Sequence, residues 1–238
     1  MWGLWFLEVL RELVPGGLLS HWRGDADTIF GNILIPDTIR EESDSHYGGM
    51  LSIGNREIGL RRIMSLPSVF RAICRNGCIW KQEKGQKVDR VHRGAIDFDG
   101  LKSDIAKNLQ AQIPLLSDGI KRVLGCRLLK MGGSSTVSVI AQLFKDLKLP
   151  KSQSPKFLGH YATEEGILGG EVRTAFGLQS ALTRLGQDYD NETWVKYDEH
   201  AGTIASLTQN RWDGMLNRAN TLDGKDIENV LGDVTHLI

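Results

Sequence analysis

The spacing of apolar residues changes once along this chain, close to Gly94. Upstream, they fall in short runs cut by glycine, proline and asparagine. Ile33-Leu34-Ile35 precedes Pro36, and Met50, Leu51 and Ile53 lie between Gly48-Gly49 and Gly54-Asn55. Runs bounded by such breakers read as strands. Downstream, Phe98, Leu101, Ile105 and Leu109 recur at spacings of three and four, as do Val137, Ile140, Leu143, Phe144 and Leu147. That is the period of one helix face. Strands gathered first and helices after them predict an α+β fold rather than α/β. We expect a small, mainly antiparallel sheet over residues 1–96 and a helical part over 97–238, within a single domain of 1–238.

A chain of 238 residues buries a sizeable core without disulfides or metals. Its apolar share of 41% and charged share of 24% exclude a wholly disordered polypeptide.

Local signals fill in this frame. Trp2, Trp5, Phe6, Val9 and Leu13 predict an amphipathic helix over 2–14, ended by Pro15-Gly16-Gly17. Residues 37–49 are polar and acidic, which predicts an exposed loop. Gly54-Asn55 reads as a turn leading to a partner strand over 58–64, and Pro67 as the first position of a short helix ended by Asn76-Gly77. Residues 78–82 and 87–92 read as two short strands. Pro114 is expected to interrupt the first long helix, with a second carried by Ile120, Val123, Leu124 and Leu128. After Gly132-Gly133, Ser134 or Ser135 caps the next helix. Residues 149–155, with two prolines, are expected to be a mobile loop. Phe176, Leu182 and Leu185 line a helix that Gly186 weakens. A longer helix is predicted from an Asn191 cap towards Asn217, through Trp194, Tyr197, Ala201, Ile204 and Leu207. Asp223 opens the last helix, through Leu231.

The charges balance at 29 basic and 29 acidic residues, but they are not spread evenly. Between Arg56 and Arg93 stand Arg56, Arg61, Arg62, Arg71, Arg75, Lys81, Lys84, Lys87, Arg90 and Arg93. Against these ten are Glu57, Glu83 and Asp89. The segment is therefore +7 and the remainder of the chain −7. Such asymmetry is the electrostatic footprint of a phosphate-binding face on a neutral protein. Trp80, inside the segment, is placed to stack on a base. A solvated hairpin paired with Glu41, Glu42 and Asp44 gives the same pattern without a ligand.

Other chemistry is thinner. Cys74, Cys78 and His92 supply three zinc ligand types, with a fourth to come from Cys126, His46 or His160. The set is incomplete, and we assign no metal. Cys74 beside Arg71 and Arg75 also has the surroundings of a nucleophile, with His92 as its base. No Walker sequence or Gly-x-Gly-x-x-Gly occurs, and no cofactor is expected. The Asp25-x-Asp27 pair lacks a third carboxylate at a fixed spacing. Three cysteines do not make a disulfide framework, which points to a reducing compartment. No basic n-region opens the chain and no window holds ~20 uninterrupted apolar residues. We expect a cytoplasmic protein with no membrane partner.

Several of these residues form an ordered set. The run Gly48-Gly49-Met50-Leu51-Ser52-Ile53-Gly54-Asn55, then Arg71-Ala72-Ile73-Cys74-Arg75-Asn76-Gly77, then His92-Arg93-Gly94, resembles the central pattern of the domain of unknown function 932 family. The stretch from Thr174 to Arg184 and the sequence Glu199-His200-Ala201-Gly202 are also similar to it. The resemblance spans roughly residues 20 to 205 and makes Gly49, Asn55, Arg71, Cys74, Asn76, Gly77 and His92 motif positions. It implies a phage, plasmid or other mobile-element setting, and hence nucleic-acid metabolism. Members are often longer at the N-terminus, which implies that Met1 is a late start.

These readings converge on a non-catalytic protein that binds nucleic acid, single-stranded DNA in particular, in replication or recombination. The residues expected to carry it are Arg61, Arg62, Arg71, Arg75, Trp80, Lys81, Lys84, Lys87, Arg90 and Arg93. The alternatives are an enzyme using Cys74 and His92, and a self-associating structural protein. The last would join through an open sheet edge or through Trp194, Tyr197 and Trp212.

Overall fold

A computed structural model describes residues 8–9, 11–24, 28–42, 45–56, 62–71, 76–78, 88–91 and 97–233. The fold is α+β, with an antiparallel sheet in the N-terminal half and helices in the C-terminal half. The chain forms two compact units, Met1–Lys121 and Arg122–Ile238. Strands give way to helices where the spacing changes, but the sheet unit also holds most of the first long helix.

Seven strands build the sheet: β1 (Leu18–Gly24), β2 (Thr28–Leu34), β3 (Arg40–Glu42), β4 (Ser45–Arg56), β5 (Arg62–Arg71), β6 (Asn76–Cys78) and β7 (Val88–Val91). Their order is β1-β2-β4-β5-β6, with β3 beside β4 and β7 beside β5. Every pairing is antiparallel. Register sorts the side chains between two faces. Ile33 pairs with Leu51, and both pack with Val14, Leu101, Ile105, Leu109 and Leu116. Leu34 pairs with Met50 in a separate cluster, because strand neighbours alternate sides.

Helix α1 (Phe98–Gly125) covers the first of these faces with its residues up to Lys121. It runs straight through Pro114, against expectation. A proline inside a helix costs ~3 kcal/mol. Leu116 and Ile120, both buried beyond it, return about 1.5–3 kcal/mol each. Packing of the continued stripe thus outweighs the lost backbone bond.

The chain departs from expectation elsewhere in this unit. Pro67 opens no helix; it lies in β5 opposite Leu51. It falls within residues 66–68, where the described pairings of β5 pass from β7 to β6. A residue with no N–H is tolerated where the ladder is not filled on both sides. Residues 37–49 are not a plain loop. They form a 3-10 turn at Pro36–Thr38, then β3 with all three residues exposed, and the start of β4. Gly54 and Asn55 lie within β4 rather than in a turn. Its partner is β5, which includes residues 62–64 of the expected 58–64 and continues to Arg71, while residues 58–61 lie outside the described residues; Asn76-Gly77 opens strand β6. Of the N-terminal helix, residues 8–9 and 11–13 are helical with Val9 buried; Trp2, Trp5 and Phe6 lie outside the described residues.

The second unit holds α2 (Thr136–Leu147), α3 (Ser154–Leu168), α4 (Ala175–Gly186), α5 (Asn191–Ala205), α6 (Gln209–Ala219) and α7 (Gly224–Leu231). Ser135 occupies the N-cap of α2, and Asp223 forms a capping box with Asp226 at α7. Residues 149–155 are not a loop but a 3-10 turn and the start of α3. Ser154 is fully buried, its hydroxyl reaching the carbonyls of Lys151 and Leu231. The long helix expected from Asn191 is two helices. Asp190, not Asn191, caps α5, accepting from Thr193 N at 2.9 Å. The break at residues 206–208 lets buried Trp212 donate its Nε1 proton to Lys130 O at 2.9 Å. Gly186 ends α4 where a β-carbon would lie 2.9 Å from Tyr197 Cβ and 3.1 Å from Trp194 Cδ1. The glycine therefore sets how closely α4 and α5 approach. No helix among the described residues is long and apolar enough to cross a membrane.

Candidate nucleic-acid interface

Three described strands of the basic segment, β5, β6 and β7, lie together in the sheet. Register sets Arg62 opposite Val91 and Arg90 opposite Ile63, so Arg62 and Arg90 stand on paired strands. Arg71 ends β5 opposite Tyr47 on one side and Asn76 on the other. It is only 5% exposed, which removes it from the expected phosphate-binding set. Arg61, Arg75, Trp80, Lys81, Lys84, Lys87 and Arg93 lie outside the described residues.

The motif positions divide in the same way. Gly49 has a structural task. Its N–H donates to Thr38 Oγ1 at 2.6 Å, that hydroxyl donates to Ile35 O at 2.6 Å, and Ile35 N donates to Gly49 O at 2.9 Å. A β-carbon at Gly49 would overlap the Leu116 side chain. Asn55 lies opposite Ile29, and Asn76 and Gly77 lie opposite Arg71 and Phe70. Cys74 and His92 lie outside the described residues. Among the described residues, no three His, Cys, Asp or Glu side chains converge as metal ligands.

Sequence reasoning missed three features of the helical unit. His160 Nε2 of α3 lies 2.9 Å from Asp188 Oδ2, and Lys156 Nζ sits 5.0 Å above the Tyr189 ring. Tyr189 in turn stacks on Tyr197 at 5.7 Å. The i, i+4 spacing of Lys156 and His160 is legible only once α3 itself is recognised. Second, buried Glu164 accepts from Arg184 Nε at 2.9 Å and Nη2 at 2.7 Å. Third, a cleft of about 530 Å³ lies between the last turn of α1 and the start of α6, with Leu129, Leu207 and Thr208 along it. Cys126 lines it, but burial pushes that thiol up to about 12, so it is protonated and a poor nucleophile.

Compared with protein-family models, curated proteins and solved structures, the chain matches none. The family resemblance therefore rests on the motif residues themselves.

Proposed function

We propose that this chain binds single-stranded nucleic acid, without catalysis, through the basic segment of residues 56–93, in replication or recombination of a mobile element. The observation that carries the reading is the net +7 of that segment in a chain of zero net charge. Support comes from the placement of its described parts: β5 and β7 pair antiparallel, which brings Arg62 and Arg90 to neighbouring register positions at one end of the sheet. With Arg71 buried, the binding set becomes Arg61, Arg62, Arg75, Lys81, Lys84, Lys87, Arg90 and Arg93, and Trp80 supplies a stacking surface. A cytoplasmic location follows from such a partner.

Fluorescence anisotropy with labelled single- and double-stranded oligonucleotides tests this. Binding at micromolar protein in about 50 mM salt, tighter for single strands, is the expected outcome. No binding under those conditions rejects the reading. Equal binding to duplex leaves electrostatics intact but removes the stacking role of Trp80.

A further inference from the structure

A buried carboxyl in the helical unit carries a separate consequence. Asp198 of α5 is 2% exposed, and its Oδ1 has no hydrogen-bond partner. One turn earlier, Trp194 is equally buried and lies under the close approach that Gly186 permits between α4 and α5. A carboxylate taken out of water without a paired cation is so costly that the group keeps its proton instead.

The surrounding charges do not relieve that cost. On α5 itself, Glu199 opposes ionisation of Asp198, and the Trp194 side chain alone favours it. On α4, Arg184 is engaged by Glu164 of α3. Beyond α4, Asp188 is paired with His160, and Tyr189 stacks on Tyr197. His200 lies edge-on to Tyr197 at 6.2 Å, and burial lowers its basicity. Before α2, Arg127 lies over Phe176 and pairs with Glu171, and Cys126 Sγ meets Ile204 O. None of these supplies a cation to Asp198. Burial holds its carboxyl well above the usual carboxylate range.

We propose that Asp198 is a proton-dependent latch: α5 packs against α4 while the Asp198 carboxyl carries its proton, and ionisation loosens this helix pair. The sign follows from linkage. Below the unfolded-chain value of about 3.9, both folded and open forms hold the proton and the latch is at full strength. As pH rises above it, the open form sheds its proton while the packed form keeps it. The packing equilibrium then weakens by up to about tenfold per pH unit, until the packed carboxyl itself ionises.

Hydrogen–deuterium exchange of the full chain, read in peptides covering α4 and α5 and corrected for intrinsic exchange, measures this opening. In the wild type the opening constant is expected to rise with pH above about 5, by up to about tenfold per unit, until the packed carboxyl ionises. Asp198→Asn, which keeps the size and removes the titration, should flatten that dependence. The same slope in both proteins overturns the proposal. If the variant fails to fold, the wild-type carboxyl can be followed by ¹³C NMR. A proton retained at about pH 6 supports the latch, and titration near 4 overturns it.

Discussion

Arg71 stands opposite Tyr47 in the β4–β5 register, and both side chains are buried, at 5% and 0% exposure. The arginine is a component of the sheet, although the sequence groups it with the phosphate-binding cations. Arg71→Gln is expected to destabilise the chain by more than ~1 kcal/mol in urea unfolding. It should leave the salt dependence of oligonucleotide binding unchanged. A lower salt dependence with unchanged stability would instead place Arg71 on the phosphates.

Gly49 and Leu116 form a second such pair, joining β4 to α1. In a strand, replacing glycine with alanine ordinarily gains about 0.5–1 kcal/mol. Here the added carbon overlaps Leu116, so Gly49→Ala should lose about 1–3 kcal/mol instead. Adding Leu116→Ala, which opens the space, should recover part of that loss. Strict additivity of the two changes would show that they do not touch.

The fold class was legible because it rests on the period of apolar residues, and the period is a backbone property. The misreadings cluster where tertiary packing outvotes a local signal. Pro67 and Pro114 look like helix punctuation, yet one lies in β5 where its described pairings pass from β7 to β6 and the other lies in a helix held by Leu116 and Ile120. Helix α3 was missed because buried Glu164 interrupts its apolar stripe of Phe157 and Tyr161. Its partner Arg184 lies 20 residues away, beyond the reach of a local pattern. The break between α5 and α6 went unread because Trp212 must turn to reach Lys130, a contact 82 residues distant. The basic segment was legible as charge, while the depth of Arg71 was not.

Glu164→Ala tests the ion pair directly. Breaking a buried pair costs about 3–5 kcal/mol. Arg184 keeps about a fifth of its side chain exposed and can recover some hydration, so a loss of roughly 3 kcal/mol in the helical unit is expected. A loss under ~1 kcal/mol would mean the pair adds no more than a surface bridge.

Cys126 should resist alkylation in the native state. Iodoacetamide at about pH 8.5, where an ordinary thiol is half ionised, should leave it unmodified by peptide mapping until denaturant is added. Its contribution to stability is full below the unfolded-chain value. That contribution falls as pH rises towards about 12, because the unfolded thiol ionises first. Rapid labelling in the folded protein would show that the thiol is neither buried nor protonated.

The salt dependence of single-strand binding tests the central claim most directly. For a single strand, log K falls against log salt with a slope of about −0.7 per phosphate neutralised. If four of the eight remaining cations meet phosphates, the slope is about −3. Replacing Lys84 and Lys87 with glutamine should make it shallower by up to ~1.4, with folding unaltered. A slope near zero, or one indifferent to these lysines, would contradict the basic segment as the nucleic-acid interface.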